Sequence, residues 1–213
     1  MACLHPHSIV RFEPHDGGRK ITGNMDAGFS HLDDESLIRQ IQKGSHEAFS
    51  ALVNRHSNRF YGIAYRLLFN KGDAEDVVQE AFLKLWDRPQ LWKSSKQAKF
   101  TTWFYKVVIN LCLDLNKKRK PLELPEELEL VDNNRGQDVL LDTYQKQALV
   151  DSLIQELPER QQLALNLCFY EGSSNAQAAE IIGVKVKAVQ SLIMRAKTTL
   201  KDKVKRYLGG GSI

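Results

Sequence analysis

The 213-residue sequence has few of the residues from which metal sites, disulfide frameworks and enzyme active sites are built. Its three cysteines, Cys3, Cys112 and Cys168, lie far apart without a Cys-x-x-Cys pair, which argues against a zinc site or a disulfide framework. The sequence contains no phosphate-binding glycine loop, no nucleophile elbow and no His-Glu-x-x-His helix. We therefore expect no catalytic residues, no metal and no cofactor. The cysteine usage fits a reducing cytoplasm.

Long apolar runs are also missing, so no segment is expected to span a membrane. Charge is abundant and unevenly placed. Residues 93–120 and 183–206 each hold eight basic side chains against one acidic one, whereas residues 121–142 hold seven acidic side chains against one basic. Basic blocks favour phosphate-bearing partners, although a solvated helix face is the alternative for either block taken alone.

Apolar residues recur every three or four positions over most of the chain, and alternation with a period of two is absent. We expect an all-α fold of two small helical domains joined by an acidic flexible linker, the second domain containing a helix-turn-helix. The expected divisions are a mobile N-terminal extension (1–31), a first helical domain (32–120), the acidic linker (121–143), the helix-turn-helix domain (144–208) and a flexible tail (209–213).

Helix boundaries are predicted from capping residues. Asp73 is a candidate N-cap, and Pro158 suits the first position of a helix. Gly172 is a candidate helix stop, and Ser174 with Gln177 forms a candidate capping box. These signals divide the chain into short helices.

Residues 73–86, DAEDVVQEAFLKLW, predict a helix with two contrasting faces. An apolar stripe is predicted to be core: Ala74, Val77, Val78, Ala81, Phe82 and Leu85. The other face combines acidic and amide groups with two large apolar side chains: Asp76, Gln79, Glu80, Leu83 and Trp86. A solvated face seldom needs Leu and Trp among acids, so we predict a protein-binding surface. Packing within the domain is the alternative.

Residues 99–120 predict a helix whose start is crowded with aromatic and basic side chains. Aromatic rings can stack unpaired bases while lysines hold phosphates, and each stacked base contributes about 1–3 kcal/mol. An ordinary aromatic core is the alternative. The candidate nucleic-acid contacts are Lys99, Phe100, Thr102, Trp103, Tyr105, Lys106, Asn110 and Lys117.

Residues 175–197, NAQAAEIIGVKVKAVQSLIMRAK, have the spacing of a helix-turn-helix. Gly183 can adopt the left-handed conformation that ends a helix, and Val189 and Leu192 turn inward on the next. Gln can pair with adenine, Arg with guanine, and Lys or Ser with phosphate. The candidate DNA contacts are Ser174, Lys185, Lys187, Ala188, Gln190, Ser191, Met194, Arg195 and Lys197.

Together these segments resemble the extracytoplasmic-function (ECF) sigma factors of bacterial RNA polymerase. GDAEDVVQEAFLKLW resembles the core-polymerase-binding helix of the second conserved sigma region. FTTWFYKVVINLCLDLNKKRK resembles the part that melts and reads the −10 element. LPERQQLALNLCFYEGSSNAQAAEIIGVKVKAVQSLIMRAK resembles the fourth region, whose helix-turn-helix reads the −35 element.

The resemblance implies a role for each candidate surface. The face of residues 76–86 would dock on the clamp helices of polymerase, and the chain would also contact the polymerase flap. The 99–117 residues would act at the −10 element, beside a loop near residues 88–99 that holds a flipped-out base. The 174–197 residues would face the −35 major groove.

The resemblance also implies a set of partners and a location. These partners are core RNA polymerase, promoter DNA and an anti-sigma factor, with no small-molecule substrate, and the free chain would be a monomer. It would be cytoplasmic, with the nucleoid in holoenzyme, or held at the inner membrane by the anti-sigma factor, and would serve a stress response. Two alternatives stay open: a free-standing helix-turn-helix regulator that binds duplex DNA without polymerase, and an adaptor that binds protein alone.

Overall fold

The computed structural model describes residues 29, 31–92, 99–119 and 149–209, and within these ranges every regular element is helical. The predicted extension up to residue 28, the acidic linker and residues 210–213 lie outside the described residues. The helices are α1 (Asp34–Ile41), α2 (His46–Leu68), α3 (Lys71–Asp87), α4 (Phe100–Arg119), α5 (149–155), α6 (Glu159–Leu165), α7 (Asn175–Ile182) and α8 (Val186–Gly209), with a 3₁₀ turn at Pro89–Leu91 and a π turn at Asn166–Tyr170.

The first helical group, α1–α4, packs α2 against each of the other three helices. Asp33 caps α1 by accepting a hydrogen bond from the Ser36 backbone N–H at 2.7 Å, and Ser45 caps α2 in the same way. Asp34 joins the two helices because its carboxylate accepts hydrogen bonds from Arg55 at 2.8 Å and from the ring of His56 at 2.9 Å. His56 is therefore a buried structural residue rather than a free ligand.

Two predicted helix starts are wrong, one by three residues and the other by one. Asn70, not Asp73, caps α3: the Asn70 side chain accepts a hydrogen bond from the Asp73 N–H at 3.0 Å. The reason is that Phe69 ends α2 in the left-handed conformation (φ 53°), which leaves Asn70 extended and free to cap. Pro158 precedes α6 instead of opening it, since its ψ of 136° is extended and its carbonyl accepts from Gln162 N–H.

The second helical group, α5–α8, carries the predicted helix-turn-helix. The capping box of Ser174 and Gln177 is confirmed, with both reciprocal hydrogen bonds present. Gly183 ends α7 in the left-handed region at φ 75°, where an L side chain would be strained. Gly172, at φ 64°, ends the turn that follows α6. After these turns α8 begins with Val186 and Lys187 exposed to solvent.

The two groups share one apolar core. Val189 at the start of α8 is fully buried in the same cluster as Phe60, Phe104 and other side chains of the first group. The groups meet mainly between α4 and α7. We call this meeting of α2 and α4 with α7 and the turn before it the seam. The seam runs beside the residues predicted for −10 recognition.

Candidate functional site

The apolar stripe of α3 is confirmed, since all six predicted core residues are buried. The opposite face, which we call the acidic face (Asp76, Gln79, Glu80, Leu83 and Trp86), lies toward solvent. Leu83 lies at the centre of this face, and 49% of its surface is exposed. Trp86 is half-buried, because its ring packs 5.1 Å from that of Phe49 and 4.4 Å from that of His46. A rigid indole beside an exposed leucine gives this face an apolar centre within an acidic rim.

The structure divides the predicted −10 residues into buried and exposed sets. Phe100, Thr102 and Tyr105 are buried. The ring of Phe100 packs against Phe104 at 5.2 Å and Trp92 at 6.2 Å, so the crowded aromatics serve as core. Trp103 and Lys106 are partly exposed, and the exposed members are Lys99, Asn110 and Lys117. Residues 93–98 of the loop expected to hold a flipped-out base lie outside the described residues.

Two predicted −10 residues contact the second group. Lys106 Nζ lies 3.5 Å from the Glu180 carboxylate on α7. The Tyr105 hydroxyl donates a hydrogen bond to the Glu171 carboxylate in the turn before α7. Burial and this anionic partner raise the pKa of Tyr105 well above its usual value, so the hydroxyl stays a donor. The second group therefore contacts part of the α4 face that carries the predicted −10 residues.

Glu171 is the centre of a charged cluster that the sequence patterns missed. Its side chain is only 6% exposed and accepts hydrogen bonds from Arg59, Arg66 and Tyr105. The Arg59 Nε donates to the Tyr105 hydroxyl at 2.6 Å, and its Nη2 donates to the Glu171 carbonyl at 3.3 Å. We call Arg59, Arg66 and Tyr105 the arginine site. Arg59 and Arg66 are seven residues apart on α2, a spacing that places them on one side of the helix.

The outward side of α8 presents most of the predicted −35 residues. Lys187, Gln190, Ser191, Met194, Arg195 and Lys197 are exposed, as is Lys185 just before the helix, and Ala188 is half-buried. The Ser191 hydroxyl donates to the Lys187 carbonyl at 3.0 Å. Lys197 Nζ lies 4.7 Å from the centre of the Phe169 ring, which holds this lysine beside the helix. Ser174 is engaged in the α7 capping box.

Val189 is fully buried on the inner side of α8, as the helix-turn-helix spacing predicts, and Leu192 is partly buried against the same core. Ala196 is also fully buried. Met194 is a large apolar side chain of this helix that is 65% exposed. The N-terminal half of α8 exposes Lys, Gln, Ser, Met and Arg side chains to solvent. Such a helix surface suits insertion into a major groove. No helix of the described ranges is long and apolar enough to cross a membrane.

Family models match both groups. The model of Sigma-70 region 2 matches residues 52–121, and that of Sigma-70 region 4 matches residues 147–200. The sequence is 30% identical over 185 residues to the ECF RNA polymerase sigma-E factor of Haemophilus influenzae, covering 81% of this chain and 96% of that protein. It is 26% identical over 179 residues to the ECF factor SigW of Bacillus subtilis, covering 79% and 95%.

Solved structures share the fold. CnrH, solved in complex with the cytosolic domain of CnrY, aligns with a TM-score of 0.61 and 24% identity over 84% of this chain and 99% of that one. RpoE from Bartonella quintana, solved with the anti-sigma factor NepR, aligns with a TM-score of 0.57 and 20% identity over 74% and 96%. The fold and the two matched regions define a sigma subunit of bacterial RNA polymerase. The chain belongs to the ECF sigma factor family, and it is an alternative sigma factor that directs transcription.

Proposed function

We propose that the acidic face of α3 binds core RNA polymerase. The observation that carries this assignment is the exposure of Leu83, an apolar side chain held on a rigid helix among Asp76, Gln79 and Glu80. Interfaces draw most of their affinity from a few apolar or aromatic anchors that lose contact with water, while the polar rim sets orientation. Leu83 and Trp86 supply the anchors, and the carboxylates select a basic partner surface such as the polymerase clamp.

The exposed residues of α4 act at the −10 element and those of α8 at the −35 element. Lys99, Trp103, Lys106, Asn110 and Lys117 offer positive charge, an aromatic ring and an amide for a melted strand. On α8, Gln190 and Arg195 offer bidentate hydrogen bonding to base edges, and the lysines position the helix on phosphates. The chain acts through these contacts, without a small-molecule substrate and without a reaction of its own.

An anti-sigma factor is the third partner that we assign. The Bartonella RpoE was solved with the anti-sigma factor NepR, and CnrH was solved with the cytosolic domain of CnrY. A protein that covers the acidic face would compete directly with core polymerase for Leu83. Free chain would then be a cytoplasmic monomer, and chain bound to a membrane-anchored inhibitor would reside at the inner membrane.

The test is reconstitution with purified core RNA polymerase, followed on a sizing column and by binding to promoter DNA. We expect a stoichiometric complex that binds promoter duplexes which neither component binds alone. Tight duplex binding by the chain alone, with no association with polymerase, would favour a free-standing regulator. Polymerase binding without any promoter selection would favour an adaptor.

A further inference from the structure

The arginine site holds more hydrogen-bond donors than its present occupant can satisfy. Arg59 and Arg66 both bond the single carboxylate of Glu171, one to each oxygen. The Nε of Arg66 is buried and has no hydrogen-bond acceptor among the residues that the structure describes. Two guanidinium groups and a phenol hydroxyl therefore present more donors than one carboxylate accepts.

The donor set matches the chemistry of a phosphodiester. Guanidinium groups bind carboxylate and phosphate in the same bidentate geometry, because both anions share one negative charge between two oxygens that can face converging donors. Tyr105 of the site directly precedes Lys106 on α4, the helix assigned to −10 DNA. Glu171 belongs to the other helical group and leaves the site when the seam opens.

We infer that Arg59, Arg66 and Tyr105 form a binding site for one backbone phosphate of promoter DNA, which Glu171 fills in the closed chain. Glu171 is then an internal competitor of DNA. In the holoenzyme, region 4 occupies the −35 element, and the vacated site takes a phosphate near the −10 element. The inference rests on the proposed function, since it requires the α4 face to meet DNA.

The cluster could serve only as a clasp that joins the two helical groups, or it could bind a phosphate. The two roles predict different directions of change in DNA binding when its residues are substituted. Removing either Arg59 or Glu171 breaks the clasp, so both changes would shift DNA binding the same way if the cluster only joined the groups. A phosphate site loses affinity when an arginine is removed. It gains affinity in the free chain when Glu171 is removed, because the competitor is gone.

The experiment measures promoter binding by the reconstituted holoenzyme as a function of salt. Arg59→Gln and Arg66→Gln are expected to weaken binding on every promoter and to reduce the slope of log K against log salt by about 0.7 to 0.9, the value of one phosphate contact. Arg39→Gln, which removes an exposed arginine from α1, is the matched control and should leave the slope unchanged. Arg59→Lys retains the charge and should retain the slope.

A second readout locates the phosphate. One linkage at a time of the −10 strand is replaced by a neutral methylphosphonate. The wild-type holoenzyme should lose affinity at one or two linkages, and the Arg59→Gln holoenzyme should lose nothing further there. Glu171→Gln should raise binding of a single-stranded −10 oligonucleotide by the free chain and leave holoenzyme binding unchanged.

Equal salt slopes for wild type and both arginine variants would overturn the inference while leaving the proposed function intact. So would changes of the same sign in free-chain binding for Arg59→Gln and Glu171→Gln. A wild-type chain that forms no promoter-binding holoenzyme would instead refute the proposed function, and the phosphate site with it.

Discussion

Lys106 on α4 and Glu180 on α7 form an ion pair, with 3.5 Å between Nζ and Oε1, although 74 residues separate them in the sequence. Both side chains are more than one-third exposed, so the pair itself adds little stability. Its importance is its position, because the lysine belongs to the predicted −10 surface. The described arrangement therefore brings the group with the proposed −35 surface into contact with the proposed −10 surface.

Cross-linking across the seam should block promoter activity. With the native cysteines replaced by serine, Lys106→Cys and Glu180→Cys can be joined by a reducible bis-maleimide. The cross-linked chain should support no promoter-specific transcription, since α4 stays covered, and cleaving the linker should restore it. Each single-cysteine variant, treated in the same way, is the control. A cross-linked chain that transcribes normally would show that the seam need not open.

Leu83→Asp should weaken core polymerase binding at least tenfold with little change in thermal stability. The side chain is half exposed, so the substitution removes an interface anchor without opening a cavity in the core. Leu91→Asp is the matched control, because Leu91 is 54% exposed just beyond the same helix and lies outside the acidic face. Equal losses for both variants would disconnect polymerase binding from Leu83.

Arg195→Ala should weaken −35-dependent transcription. If the guanidinium contacts a base edge, the expected loss of DNA-binding free energy is about 1–3 kcal/mol. The loss should depend on the base pair at one position of the −35 element. Arg195→Lys retains the charge but not the planar fork, so it should rescue binding to random DNA and not the base preference. An equal loss on every sequence would identify a phosphate contact instead.

Two substitutions separate the capping role of Ser174 from a role at DNA. Ser174→Ala should lower the free energy of unfolding by about 1 kcal/mol, because the N-cap acceptor for α7 is lost. Ser174→Asp retains an acceptor and should retain stability, yet its charge should repel DNA if the residue lies near phosphate. Chemical denaturation and −35 duplex binding give the two readouts. Unchanged DNA binding by the aspartate variant would remove Ser174 from the DNA surface.

Asp34 should make the fold sensitive to acid. Burial acts to raise the pKa of its carboxyl, but hydrogen bonds from His56 and Arg55 outweigh that effect, and the net pKa lies below 3.8. A depressed folded-state pKa stabilises the fold above the unfolded pKa, and this stabilisation is lost as the pH falls through the folded value.

The free-energy difference between wild type and Asp34→Asn should therefore be constant near neutral pH and shrink below about pH 4. Urea unfolding at a series of pH values measures it. Asp202→Asn, an exposed position on α8, is the control and should show no such trend. A difference that stays constant down to pH 2 would contradict the role of the ionised carboxylate.

Local patterns predicted most of the helical architecture. The six-residue stripe of α3, the capping box at Ser174 and the left-handed Gly183 each depend on neighbours a few positions away, and each is confirmed. The start of α3 was wrong because Asn70 and Asp73 are both acceptable caps, and the choice depends on the unusual left-handed Phe69. The N-cap preferences of residue types do not by themselves decide between two acceptable caps three positions apart.

The seam could not be predicted from such patterns. Arg59 and Glu171 are 112 residues apart, and nothing in the spacing of either residue identifies the other as its partner. The aromatic start of α4 shows the same limit. Rings beside lysines suit both a stacking platform and a core, and only the packing of Phe100 against Phe104 and Trp92 distinguishes the two.

Run-off transcription from a genomic promoter library, with core polymerase in the presence and absence of this chain, tests the central claim most directly. The account predicts a discrete set of new start sites that share −35 and −10 sequences and that disappear with Leu83→Asp. A library transcribed identically with and without the chain, under conditions where the chain is folded, would contradict its assignment as a sigma subunit.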